Sequence, residues 1–157
     1  MPSSFVTLPD ERYFEDYVPG AVHEFGTVKV DETEVLDFGH RFVPLSYHTD
    51  PEAAKKSIYG GLIASGWHTA ALMMRLYTDY YLSKVANLGS PGCDELRWSK
   101  PVFPGDELSI RVTVMETRRS DSKPDRGIVH SFTEVLNQKR EVVMSVRMVN
   151  FVRGRSL

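Results

Sequence analysis

Residues 63–84 read IASGWHTAALMMRLYTDYYLSK, and this stretch dictates how the rest of the chain must be arranged. It is the longest helical candidate in the sequence. Its first half, 64–76, carries one charge, Arg75, and mixes small residues (Ala64, Ser65, Gly66, Ala70, Ala71) with large ones (Leu72, Met73, Met74, Leu76). A helix that is apolar nearly all round is buried on most sides. Other parts of the chain therefore have to wrap it.

The wrapping lies downstream. After a loop over 87–92 come four strand-like runs, 95–102, 107–117, 127–136 and 142–152. Leu108, Ile110, Val112 and Val114 alternate with Ser109, Arg111 and Thr113, the period of a sheet with one buried face. Pro104-Gly105-Asp106, the stretch 122–126 and Asn137-Gln138-Lys139 are turns between the runs. Upstream, Pro19-Gly20 marks a turn and 23–30 reads as a short strand. Asp31 is placed to cap a helix, with Glu34 three residues on to complete a capping box, and that helix extends to about Arg41. The segment 42–47, with Pro44, reads as an irregular connection. Asp50-Pro51 opens a second short helix that Tyr59-Gly60-Gly61 ends. Strand, helices, one long buried helix, then an antiparallel meander is an α+β order.

Composition limits the functions open to the chain. Its 157 residues suit one domain, 1–157, with a core over about 14–152. With 19 Lys plus Arg against 21 Asp plus Glu, it has no electrostatic case for nucleic acid or for an anionic membrane. The single cysteine, Cys93, excludes an internal disulfide framework and a cysteine zinc cluster, and the five histidines are scattered, so no metal site is expected. The N-terminus lacks the basic-then-apolar order of a signal peptide, and no apolar stretch approaches the ~18 residues of a membrane span. The expected location is the cytoplasm.

The residues also carry a resemblance. The stretch Tyr47-His48-Thr49-Asp50-Pro51-Glu52-Ala53-Ala54, followed by Gly60-Gly61-Leu62-Ile63-Ala64-Ser65-Gly66-Trp67-His68-Thr69, is similar to the MaoC-like dehydratases, relatives of the R-specific enoyl-CoA hydratases. The likeness continues through Asp94-Glu95-Leu96-Arg97-Trp98, Lys100-Pro101-Val102, Pro104-Gly105-Asp106 and 122–127. It implies a hot-dog fold, an antiparallel sheet wrapped around one long helix. It also implies the addition of water to a trans-2-enoyl thioester, or its removal from a 3-hydroxyacyl thioester. No cofactor is implied; CoA or an acyl carrier protein bears the substrate.

In that family an Asp and a His share one water as base and acid. A backbone N–H at the start of the long helix holds the thioester oxygen, where unpaired donors and the helix dipole favour negative charge. By this resemblance His48 matches the catalytic histidine and Gly66, 18 residues on, the oxyanion-hole glycine. Ser65 either donates to the thioester or caps the helix. Tyr47 and Trp67 either line the acyl tunnel or pack. Lys123 and Arg126 lie in a loop where relatives meet the CoA phosphates, although a solvated turn explains them as well. His68 reads as a packed helix residue and Asp50 as a helix cap.

The chain departs from the pattern at two positions. Where relatives read roughly Asp-Pro-Gln-Pro-Phe-His, it reads Val43-Pro44-Leu45-Ser46-Tyr47-His48. Val43 cannot carry a proton and Leu45 cannot position a water, so ordinary hydration is expected to be impaired by ~10²–10⁴-fold. The pocket is expected to be drier and more apolar, with Val43 and Leu45 part of its lining. Asp37 and His40, one or two turns upstream, are candidates to replace the missing polar groups. Three functions remain open: a MaoC-like hydratase or dehydratase, a repurposed hot-dog enzyme (isomerase, cyclase or addition catalyst) using His48 in an apolar pocket, and a non-catalytic partner subunit. A thioesterase is less suited, because 63–77 contains no carboxylate. The resemblance implies side-by-side pairing, and a homodimer acting on a small acyl thioester or related apolar substrate is expected.

Overall fold

The computed structural model describes residues 5–156. Five strands, β1 (Val22–Lys29), β2 (Gly92–Trp98), β3 (Glu107–Arg119), β4 (Arg126–Leu136) and β5 (Val142–Arg153), form one antiparallel sheet in the order β1-β3-β4-β5-β2. The alternation in β3 is realised fully: Leu108, Ile110, Val112 and Val114 have no exposed surface. The last three strands are a meander, but β2 is not its first member. It crosses to the far edge and pairs with β5, Gly92 opposite Val149 and Trp98 opposite Met144. It also starts three residues earlier than the sequence predicts and ends at Trp98, so 99–102 is a connecting segment.

Among the described residues four α-helices precede or cross the sheet, after two 3₁₀ turns at Pro9–Glu11 and Phe14–Asp16. α1 (Glu32–Phe42) starts where Asp31 accepts the N–H of Glu34 at 3.0 Å. The connection expected over 42–47 contains a helical turn, α2 (Ser46–Thr49), which carries Tyr47 and His48. α3 (Pro51–Lys55) is capped by Asp50, whose Oδ1 accepts from the N–H groups of Glu52 and Ala53 at 3.1 and 3.2 Å. It ends at Lys55, sooner than Tyr59-Gly60-Gly61 implies, and a chain of tight turns fills the interval.

The long helix is shorter and less enclosed than its composition predicts. α4 covers Gly66–Leu76 and passes into a π-helical turn, Tyr77–Tyr81, closed by Leu82 N–H donating to Tyr77 O at 2.9 Å. Trp67, Ala71 and Arg75, spaced by four, form an exposed row, while His68, Thr69, Met73 and Leu76 are buried. The buried tyrosines satisfy their hydroxyls, as buried phenols must. Tyr77 donates to Asn150 Oδ1 at 3.0 Å, and Tyr81 shares a 2.5 Å bond with Ser131 Oγ. Burial pushes both phenols far above their ordinary range. The result is the hot-dog arrangement of sheet and central helix, one α+β domain.

Candidate functional site

His48 is held from three sides. Its own turn is closed by His48 N–H donating to Leu45 O at 2.9 Å. The strand-like segment before α4 is tied to that turn by Ile63 N–H donating to Tyr47 O at 3.0 Å, and to the far wall by Ala64 N–H donating to Val102 O at 2.8 Å. Behind it, α1 comes so close that a Cβ on Gly39 would lie 2.6 Å from His48 O. Only glycine permits that approach.

The histidine tautomer follows from its partner. Nδ1 lies 2.8 Å from Ile63 O, and a carbonyl only accepts, so Nδ1 carries the proton. In the neutral ring Nε2 is then a free lone pair, and no residue among those described bonds to it. His48 as a whole residue is 94% buried, with Tyr47 edge-on at 4.5 Å between ring centroids.

His48 lines a cavity of about 360 Å³ together with Tyr47, Tyr59, Ile63, Ala64, Gly66 and Thr69 on one side, and residues 98–102 on the other. Gly66 is the first residue of α4. Ser65 Oγ takes the N–H of Trp67 at 3.2 Å, whereas the N–H of Gly66 meets no acceptor among the described residues. A free amide at a helix N-terminus is suited to an oxygen that gains negative charge. Trp98 closes over this end. Its Nε1–H donates to Gly66 O at 2.9 Å, and a Cβ on Gly66 would meet the indole at 2.4 Å.

Of the residues singled out in the sequence, the fold brings His48, Gly66 and Tyr47 to one cavity. Ser65 is buried beside it as the cap of α4. Val43 and Leu45 flank α2 but do not line the cavity; Val43 is half-buried and Leu45 is exposed. Trp67 is 59% exposed and stacks edge-on against Trp98 instead of lining a tunnel. Lys123 and Arg126 are not near it: Lys123 lies in the turn before β4 and Arg126 is its first residue, whereas the other end of β4 pairs through Met144 toward Trp98 at the cavity, roughly 30 Å away along the strand. Arg126 is paired there with Asp125. Asp37 and His40 do not replace the missing polar pair, since both are exposed and Asp37 faces Arg41 at 3.6 Å.

The lining is also less apolar than expected, because Tyr59, Thr69, Ser99 and Lys100 join it. Trp98 ends the edge strand and Ser99 and Lys100 follow it in the connecting segment, and no spacing in the sequence signals that they share a cavity with His48. Lys100 is ion-paired with Glu141. His68 stacks on Phe38 at 5.0 Å, and burial lowers its pKa against a smaller opposing effect of Glu34. No group of three or more metal-ligating side chains occurs among the described residues, and no helix there is long and apolar enough to cross a membrane.

Comparison with known proteins agrees with this fold. Residues 19–135 match the MaoC like domain family. The crystal structure of the MaoC-like dehydratase from Rhodospirillum rubrum is 38% identical, with a TM-score of 0.85 over 93% of this chain and 99% of that one. The (R)-hydratase from A. caviae is 26% identical, with a TM-score of 0.65 over 87% of this chain and 96% of that one. A mesaconyl-CoA hydratase from Cereibacter sphaeroides is 43% identical over 77 residues, which span 49% of this chain and 21% of that longer protein. The extent of these matches, on a fold built around the same central helix, makes the chain a member of the MaoC-like dehydratase family.

Proposed function

We propose that the cavity binds the acyl end of an enoyl or 3-hydroxyacyl thioester and that the chain catalyses its hydration or dehydration. The observation that carries this is the pairing of His48, whose Nε2 is left as a free lone pair, with the unpaired Gly66 N–H on the same cavity wall. His48 takes a proton from water as general base. The Gly66 N–H donates to the thioester oxygen as the enolate forms. The relative named as a mesaconyl-CoA hydratase supports CoA as carrier. Val43 stands where the resemblance puts a carboxylate, next to the His48 turn although outside the cavity lining, and this exchange slows the native chain. That no carboxylate lines the cavity among the described residues favours a second reading, proton transfer by His48 alone in an isomerisation, cyclisation or addition.

The chain also acts as a homodimer in this reading. Every residue of β2 except Leu96 is exposed, and an edge of this kind needs a cover.

The test is loss of enoyl absorbance with crotonyl-CoA and a longer trans-2-enoyl-CoA. Three proteins are compared: the native chain, Val43→Asp with Leu45→Asn, and His48→Ala. The restored pair is expected to gain ~10²–10⁴-fold and His48→Ala to lose turnover. If the native chain hydrates either substrate quickly and the restored pair gains nothing, the assignment of Val43 as the lost proton carrier is wrong. If only the restored pair is active, the native site serves the second reading.

A further inference from the structure

Hydration needs two proton positions, one to take the proton of water and one to deliver a proton to C2. His48 fills the first. Among the described residues no carboxylate lines the cavity, so the second position has to come from another side chain. Three of the side-chain donors there are engaged. Trp98 Nε1–H is given to Gly66 O, Thr69 Oγ1 to Ser65 O at 3.4 Å, and Lys100 to Glu141. The hydroxyls of Tyr47, Tyr59 and Ser99 have no partner among the described residues. Of these the phenols are the better candidates, since a phenol, with an ordinary pKa of about 10, is a far better proton donor than an alkyl hydroxyl.

Tyr59 is held in place by its own segment. Ser57 Oγ donates to Ala54 O at 2.6 Å and accepts Tyr59 N–H at 3.2 Å. Gly60 N–H donates to Ser57 O at 3.1 Å, with Gly60 at φ +72°, a conformation that favours glycine. This turn leaves Ile58 94% exposed and brings Tyr59 to the cavity wall. The Tyr59 ring packs on Tyr47 at 5.3 Å, and Tyr47 in turn lies against His48. Tyr47 shares the turn of His48, whereas Tyr59 is anchored by a different segment.

We propose that the Tyr59 hydroxyl is the second proton-transfer group, standing in for the missing carboxylate. This rests on the acyl-thioester reading of the cavity. The oxygen of water bonds to C3 while His48 Nε2 takes its proton. The C2=C3 electron pair moves into the thioester enolate and then forms the C2–H bond with the Tyr59 proton. The phenolate regains a proton from the His48 imidazolium, so one water is added and both side chains are restored.

The experiment measures crotonyl-CoA hydration by Tyr59→Phe and by Tyr47→Phe, each in the native chain and in the Val43→Asp/Leu45→Asn background. Binding is read separately from the fluorescence of Trp67 and Trp98, the only two tryptophans. In the native chain Tyr59→Phe is expected to lower kcat about 10²-fold while crotonyl-CoA still binds. In the restored background the loss shrinks, because a carboxylate again carries the proton. An equal loss in both backgrounds assigns Tyr59 to packing and overturns the proposal, as does no loss, or a larger loss in Tyr47→Phe. A native chain without turnover beside an active restored pair also overturns it while leaving His48 and Gly66 in their roles. If neither protein turns over, the reading beneath it fails, and the proposal with it.

Discussion

Gly39→Ala tests whether the packing of α1 on α2 positions the histidine. Inside a helix this change ordinarily stabilises by ~1 kcal/mol. Here the added Cβ would lie 2.6 Å from His48 O, 3.0 Å from His48 Cβ and 3.1 Å from His48 C. Ordinary contact begins near 3.4 Å, so α2 must retreat by about 0.8 Å. The obstacle is mostly backbone, which has no rotamer to escape into, so the cost lies in the upper part of the ~1–3 kcal/mol range for overpacking. Overpacking therefore outweighs helix propensity, with a net loss of ~1–2 kcal/mol. For a chain of this length that lowers Tm by ~2–8 °C. His48 sits on the displaced turn, and a shift near 1 Å at a reacting group costs about 10²-fold in rate. Thermal denaturation followed by circular dichroism reads the first effect. Crotonyl-CoA turnover in the Val43→Asp/Leu45→Asn background reads the second. A Tm equal to or above that of the parent would refute the reasoning, because helix propensity would then have won.

The other two expectations concern pH and assembly. Burial holds the pKa of His68 below its ordinary 6.5, so the unfolded chain takes up this proton first as pH falls. The stability contributed by the neutral ring is complete above about 6.5 and is lost as pH falls from there toward the folded-state value; Tm should drop more between pH 7.5 and 5.5 in the native chain than in His68→Phe, and equal drops would rule this out. The open β2 edge predicts a solution mass of about twice 17.8 kDa by sedimentation equilibrium at micromolar concentration, and a monomer mass would remove the homodimer from the proposal.

Much of the fold was legible in the residues because it rests on local chemistry. Asp31 and Asp50 act as helix caps, Pro19-Gly20 turns, and β3 buries every second residue, all from rules that operate within a few positions. The extent of the central helix was less legible. Its uniform apolarity hid both the exposed row Trp67, Ala71, Arg75 and the change to π geometry at Tyr77, where two buried phenols reach Asn150 and Ser131 on neighbouring strands. The pairing of β2 with β5 was hidden for a related reason. Strand alternation fixes which face is buried and says nothing about which edge a strand joins.

The site divides along the same line. The resemblance carried by the sequence singled out His48, Gly66 and the carboxylate position held by Val43, because the motif that bears it is nearly contiguous along the chain. Only the tertiary structure decided the rest. It set the tautomer of His48 through Ile63 O, and it placed Arg126, with Lys123 in the turn before it, at the end of β4 far from the cavity. It also brought Tyr59 and Trp98, 39 residues apart, to one cavity. Those outcomes depend on which segments meet, and the hydrogen bonds and ring contacts that bring them together join residues with no fixed separation along the chain.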